Sequence, residues 1–313
     1  MEKIALVGAG LIGQAWAIVF GRAGHEVTLF DADAAVLDRA QSQIDARLQD
    51  LAELGLIDQP NAIMARLRST TDLATALKGA DYMQESVPER VEVKQEVYAE
   101  LDRLAAPTAI LASSTSGIPA SSFTEELAGR SRCLVAHPIN PPYVTPLVEL
   151  CPAPWTEPEV VDRTYELMKR VGQAPIRVKR EVEGFIANRL QGALLASAIK
   201  LVEDGYASVE DVDIAIKDGI GLRWSFMGPF ETIDLNAPGG LADYLARYGP
   251  LYEAIEHSQS TPRPWTRAQA ERIDAERRVA LPAAELGARS EWRDRRLMAL
   301  AAHKSDMTNK IGE

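Results

Sequence analysis

A sheet of parallel strands covered by helices on both faces, followed by an all-α second half, is the α/β fold the sequence predicts. Three observations predict it. Short, nearly continuous apolar runs such as Lys3 to Val7 alternate with amphipathic helical patterns as far as residue 183, as expected of strands buried on both faces. The first run leads straight into a glycine-rich turn and a helical pattern. Beyond Glu183-Gly184 strand-like runs cease and only helical patterns remain. The expected domains are therefore residues 1–183 and 184–313, and a chain of 313 residues is long enough for each to bury a core.

The elements follow in order. Lys3 to Val7 runs into Gly8-Ala9-Gly10-Leu11-Ile12-Gly13, then a helix from Gln14 to Arg22 that ends at Ala23-Gly24. Strand, GxGxxG and helix in that order form the context a dinucleotide-binding turn requires. Gly8 allows the tight turn, Gly10 lets a pyrophosphate approach the backbone, and Gly13 lets helix and strand pack closely. The helix N-terminus then offers free N–H groups and a positive dipole end to phosphates. The strand His25 to Phe30 ends on Asp31. An acid there accepts hydrogen bonds from the adenosine ribose and repels a 2′-phosphate, which selects NAD over NADP; the alternative is a cap for the helix starting near Asp33. The first half is thus expected to be a Rossmann-type, NAD-binding domain.

Asp33 to Leu54 reads as a long amphipathic helix carrying Asp38, Asp45, Asp50 and Glu53 against Arg39 and Arg47. A short helix over Ala62 to Leu67, a strand-like piece at Arg68-Ser69 and an Asp72-led helix to Leu77 precede the strand Asp81 to Glu85. Glu89 and Lys94 come at the start of the next helix, Val91 to Leu104, at the carboxyl edge of the sheet where ligands bind in open α/β folds. The residues alone equally allow a solvated first turn. Thr108 to Ala112 is the following strand, and Ser113-Ser114-Thr115-Ser116-Gly117 after it can position a polar ligand or cap the helix beyond Pro119.

The stretch Val135 to Leu150 holds one His and one Glu in an apolar, proline-stiffened segment. Arg132 to Ala136 reads as a strand, the prolines at 138, 141, 142 and 146 forbid helix, and Leu147 to Leu150 resumes as a strand. His137 therefore leaves one strand end and Glu149 returns on the next. A carboxylate near a strand-end imidazole holds one ring tautomer and stabilises the imidazolium, the arrangement of an acid/base dyad; a core His satisfied by a carbonyl is the alternative. Pro158 to Val171 is a helix and Ala174 to Val178 a last strand. In the second half Phe185 to Glu203 reads as one helix with Asn188 and Arg189 in its first turns, and Ser208 starts the next. Asp218 to Pro229 reads as a glycine-punctuated loop holding the cation Arg223 beside Trp224 and Phe226, and Arg267 to Arg296 as mixed-sign, solvated helices.

Composition narrows the function. A net charge of −11 argues against sequence-independent binding to nucleic acid or anionic lipid, which needs a positive footprint. No window approaches the apolar length of a membrane span, and no basic region followed by an apolar stretch follows Met1, so a cytoplasmic protein is expected. Cys133 and Cys151 lie in no CxxC or Cys/His cluster and read as small buried hydrophobes; His25, His137, His257 and His303 are scattered, so no metal site is expected.

These residues together carry a resemblance. The glycine turn, Asp31, the Glu89/Lys94 spacing, Ser-Ser-Thr-Ser-Gly, His-Pro-x-Asn-Pro, Leu-Val-Glu-Leu, Gly-Phe-Ile-x-Asn-Arg-Leu and Gly-Pro-Phe-Glu resemble the 3-hydroxyacyl-CoA dehydrogenase superfamily. Through HPINPPYVTPLVEL, VDRTYELMKRVGQAPIRV, ANRLQ, GLRWSFMGPFET and EWRDRRL, the chain most resembles the branch of the lambda-crystallins and L-gulonate 3-dehydrogenases. The resemblance implies that His137 takes the substrate hydroxyl proton, that Glu149 orients it, that Ser116 hydrogen-bonds the reacting oxygen and that Asn188 completes the polar ring. It implies that Glu89 and Lys94 contact the nicotinamide ribose, that Leu11 and Ile12 contact the pyrophosphate, and that Ser116 and Asn140 also belong to the cofactor site. It further implies a homodimer through the helical domain.

The substrate expectation combines this likeness with charge. A CoA thioester brings phosphates, for which the acidic helix Asp33 to Leu54 is poorly suited, whereas an Arg fork suits a carboxylate. The expected substrate is a small hydroxycarboxylate oxidised at C3, with L-gulonate the leading case and Arg223 its anchor. L-3-hydroxyacyl-CoA is an alternative. Carnitine is another, its cation facing Trp224 and Glu231; a crystallin-like, non-catalytic NAD-binding role is the last.

Overall fold

The structure is a computed structural model that describes residues 1–312. One eight-stranded sheet organises the first half: β1 (Lys3–Val7), β2 (Glu26–Phe30), β3 (Leu67–Thr70), β4 (Tyr82–Glu85), β5 (Ile110–Ser113), β6 (Cys133–Pro138), β7 (Leu147–Pro152) and β8 (Ala174–Arg177). Their order is β3-β2-β1-β4-β5-β6-β7-β8. Neighbours run parallel except β6 and β7, which are antiparallel. The chain leaves β1 toward β2 and β3 on one side and continues from β4 on the other. The carboxyl ends of β1 and β4 therefore flank the crevice where ligands bind in such sheets.

Residues of β1 alternate between two cores. Ile4 and Leu6 join Trp16, Phe20, Ile44 and Leu48 on one face, while Ala5 and Val7 join Tyr98, Leu101 and Phe123 on the other. The covering helices are α1 (Leu11–Arg22), α2 (Ala34–Glu53), α3 (Pro60–Met64), α4 (Leu73–Leu77), α5 (Val91–Leu104), α6 (Ser121–Thr124) and α7 (Pro158–Arg170). Asp33, not Asp31, caps α2 by accepting the Ala35 N–H at 2.8 Å, which leaves Asp31 available at the crevice.

The remaining helices are α8 (Ala187–Glu203), α9 (Val209–Ile214), α10 (Gly221–Trp224), α11 (Pro229–Asp234), α12 (Gly240–Gln259), α13 (Arg267–Ala280) and α14 (Leu286–Ile311). The expected loop over Asp218 to Pro229 is largely wound: the chain coils through Ala215–Ile220 into α10, so Arg223 sits on a helix. Glycine costs only about 1 kcal/mol in a helix, and tertiary context overrides such a preference. Phe185 and Ile186, expected in α8, precede it.

The chain forms two compact units, and their limits differ from the expected division at 183/184. The first holds Met1–Arg189 together with Trp292–Lys310, and the second Leu190–Glu291. The last helix, expected with the helical half, thus rejoins the first unit. Met298 is fully buried in the same core as Trp16 and Tyr143, and Arg295 pairs with Glu53 of α2 at 2.9 Å. One buried methionine among charged neighbours does not register as an apolar face.

Candidate active site

In the antiparallel pair β6/β7, His137 stands directly opposite Glu149. Their side chains meet: Nδ1 lies 2.9 Å from Oε2, with the carboxylate fully buried and the imidazole 6% exposed. A carboxylate only accepts, so Nδ1 carries the proton and donates it. Nε2 has no hydrogen-bond partner among the described residues and keeps its lone pair free.

The other carboxylate oxygen is held by the start of α8. Gly184 (φ +73°) and Phe185 (φ +48°) are successive left-handed residues, and the reversal they make brings the Ile186 and Ala187 N–H groups to Glu149 Oε1 at 2.8 and 2.9 Å. A non-glycine residue in that region is strained and persists where surrounding contacts compensate; Phe185 is fully buried, its ring centroid 5.6 Å from that of His137. Burial by itself would raise the Glu149 pKa, but the His137 hydrogen bond and the two amides outweigh it and hold the carboxyl below its ordinary value. The acid thus remains charged behind the imidazole.

The serine-rich turn after β5 is bound by Glu89 and Asn188. Glu89 Oε1 accepts from the Thr115 hydroxyl at 2.5 Å and the amides of Ser116 and Gly117 at 2.8 and 3.3 Å. Burial opposes ionisation of Glu89, yet the Thr115 hydroxyl, the Lys94 charge and the Ser116 amide together lower its pKa. Asn188 Nδ2 donates to the Ser116 carbonyl at 2.6 Å, and the Ser116 hydroxyl has no partner among the described residues. Lys94, for which the resemblance implies a ribose contact, is 1% exposed, with its ammonium 3.0 Å from Glu85 and 3.4 Å from Glu89. Glu85, unremarked in the sequence, is a wholly buried acid at the end of β4. Its only signal is a charge closing an otherwise apolar or neutral strand.

The glycine turn separates the protein's own needs from those of a ligand. At Gly8 (φ +101°) an added Cβ would lie 2.7 Å from the Ser86 carbonyl oxygen, and at Gly13 it would lie 1.9 Å from that of Gly8. At Gly10, the N-cap of α1, it would meet nothing within 4 Å. Gly8 and Gly13 are therefore demanded by packing, whereas Gly10 keeps open a space at a helix N-terminus that suits a pyrophosphate. Exposed Leu11 and half-buried Ile12 begin α1 beside it. A cleft of about 680 Å³ adjoins this turn, lined by Gly8, Gly10, Asp31, Val36 and Val87 among others. Asp31 is set there by the amides of Ala9 and Asp33, at 3.0 and 3.1 Å on separate oxygens. Asn140 Oδ1 is buried and unpartnered, a second position that fits a ligand donor. These residues fit NAD.

Arg223 lies in the second unit, exposed, with Asn236 Oδ1 at 3.5 Å. Cys133 and Cys151 are free and buried, which pushes both thiols up to about 12. No group of three His, Cys, Asp or Glu residues among those described could hold a metal ion, and no helix there is long and apolar enough to cross a membrane.

Comparison with known proteins gives concordant matches. The family described as 3-hydroxyacyl-CoA dehydrogenase, NAD binding domain, matches residues 3–182, and 3-hydroxyacyl-CoA dehydrogenase, C-terminal domain, matches residues 184–278. The lambda-crystallin homolog of Bos taurus is 42% identical over 97% of this chain and 96% of that protein. The L-carnitine dehydrogenase of Streptomyces griseus is 40% identical over 88% of this chain and 79% of that protein. Among solved structures, an NAD+-dependent dismutase, 5-formyl-3-hydroxy-2-methylpyridine 4-carboxylic acid 5-dehydrogenase, aligns with a TM-score of 0.74 at 30% identity, covering 91% of this chain and 97% of that one.

Proposed function

The chain belongs to the 3-hydroxyacyl-CoA dehydrogenase family and is an NAD-dependent oxidoreductase; from that premise we propose that it oxidises the C3 hydroxyl of a small hydroxycarboxylate, with L-gulonate, giving 3-dehydro-L-gulonate, the leading case. The observation that carries the chemistry is the His137–Glu149 pair with its free Nε2. Bound NAD supplies the hydride acceptor. Nε2 takes the hydroxyl proton as the carbinol C–H bond is lost, leaving a ketone and an imidazolium. Glu149 fixes the tautomer that makes this possible and stabilises the resulting positive charge. The unpaired Ser116 hydroxyl is assigned to the reacting oxygen, with Asn188 holding its backbone. Glu89 and Asn140 are assigned to the nicotinamide end, and Asp31 to the adenosine ribose, where it disfavours NADP.

The preference for a free acid over a CoA thioester rests on α2. Its Arg47 is paired with Asp50 at 3.5 Å, and the remaining cation, Arg39, shares the helix with Asp38, Asp45 and Glu53, so the helix as a whole disfavours a nucleotide phosphate. L-Carnitine is the second reading, favoured by the 40% identical relative. The deciding assay measures NADH formation with L-gulonate, L-carnitine and 3-hydroxybutyryl-CoA side by side. L-Gulonate is expected to give the highest kcat/KM; a higher value with the thioester overturns the reading. NADH binding without turnover of any of the three points instead to a non-catalytic role. Arg223→Ala is expected to raise KM for the acid about tenfold while kcat holds, the loss of one charge-assisted contact. The second unit is proposed to form a homodimer.

A further inference from the structure

We propose that Glu85 is a positioning residue for the cofactor edge of the site: it takes the charge of Lys94 beneath the serine-rich turn, and so frees Glu89 to hold that turn in place. The inference rests on the reading above that Glu89 and Ser116 face the cofactor.

The geometry is a competition between two carboxylates for one ammonium. Lys94 Nζ donates to both oxygens of Glu85 at 3.0 Å and lies 3.4 Å from Glu89 Oε2. Glu85 is fully buried and Lys94 almost so, whereas the Glu89 side chain is 45% exposed. Buried charges are retained only when paired and hydrogen-bonded, and Glu85 is supplied accordingly. Beyond Lys94 it accepts the Val87 N–H at 2.6 Å and the Ser113 hydroxyl at 2.6 Å. Ser113 is its register partner on β5.

The chelate on Glu85 leaves Glu89 Oε1 free for Thr115, Ser116 and Gly117. A second route runs through Ser113, whose oxygen accepts the Thr115 N–H at 3.1 Å. Glu85 thus supports the turn from below through a hydroxyl while allowing Glu89 to support it from the exposed side. Neither route brings Glu85 to solvent, so it acts only through its neighbours.

In Glu85→Gln the single amide oxygen keeps the Val87 N–H, the NH2 replaces the oxygen that accepted the Ser113 hydroxyl, and the side chain neutralises nothing. The ammonium then has one carboxylate within 4 Å among the described residues, that of Glu89, and draws it off the turn.

The test is NADH affinity of the full chain, read by NADH fluorescence, with folding checked by thermal melting. Glu85→Gln is expected to bind NADH about tenfold more weakly, and Ser113→Ala, which keeps the ion pair and cuts the second route, about threefold more weakly. An unchanged affinity in either variant overturns the proposal. A merely structural role lowers the folded fraction without moving the dissociation constant of what remains folded. Should Glu85→Gln not fold, Ser113→Ala alone decides, no change again overturning the idea. Because the readout needs no hydroxyacid, a wild type that binds NADH but oxidises none of the three substrates would count against the proposed substrate and leave Glu85 to be judged by these ratios.

Discussion

In the first unit Trp16, Phe20, Leu48 and Tyr98 are sealed from solvent; in the second, only Thr232 is buried among the described residues. There Phe226, Phe230, Leu251 and Trp265 each stand more than half exposed. The first unit has closed its core around the dyad, so the chemistry of His137 is held by finished packing. The second has the helices of a bundle but has not used their apolar surface, and large exposed patches of that kind mark sites of association. The contrast is that of a sealed core and an apolar surface left exposed. It also explains where precision is available, since groups must be held rigidly to act together.

Substitutions can break or sharpen this contrast. The largest effect is expected from the dyad: His137→Asn should lower kcat/KM by about 10²–10⁴-fold with NADH binding retained. Glu149→Gln should approach that loss by forcing the other tautomer, and steady-state kinetics that left either variant near wild-type speed would remove the dyad from the mechanism.

The second effect concerns stability. The lowered pKa of Glu149 relative to its ordinary 4.5 means the folded state favours the charged form. Its contribution, of order 1–3 kcal/mol for charge-assisted hydrogen bonds, is therefore complete above the unfolded value and lost as pH falls through the depressed folded value. The difference in melting temperature between wild type and Glu149→Gln should shrink as pH falls below 4.5. A difference that instead grew on acidification would reverse the assigned sign.

In the second unit, Leu251→Glu is expected to weaken self-association by about 2 kcal/mol, the scale of one buried leucine. Sedimentation should show twice the chain mass for the wild type and a concentration-dependent fall for the variant; a wild type that sediments as a single chain refutes the homodimer. The smallest effect tests local structure. Ser208 caps α9 in a reciprocal box with Asp211, so Ser208→Ala should cost about 1 kcal/mol, measured by denaturant unfolding, with no change at the dyad.

The sequence made the strands, the glycine turn, Asp31, and the His137 and Glu149 pair legible, because buried parallel strands and special turns constrain residue type strongly. It did not reveal that His137 and Glu149 share a register position, since turn length through four prolines does not count out pairing. Glu85 escaped because an acid at a strand end reads as an edge charge, and its partner is nine residues away on a helix. The left-handed turn at Phe185 escaped because it contradicts local preference and is held by burial and by the Phe185 N–H bond to the Val182 carbonyl. The burial of Lys94 against Glu85 was not legible either, as a long cation at a first turn ordinarily reaches for solvent.

The return of Trp292–Lys310 to the first unit has a consequence for how the protein is made. The ribosome releases β1 and its covering helices early, but Met298, which plugs their core, emerges only after the entire helical excursion has been synthesised. The core of the first unit is therefore completed by Met298 only once α14 has been made. A protease nick or truncation within that helix should accordingly be felt first in the half of the molecule farthest from it in sequence.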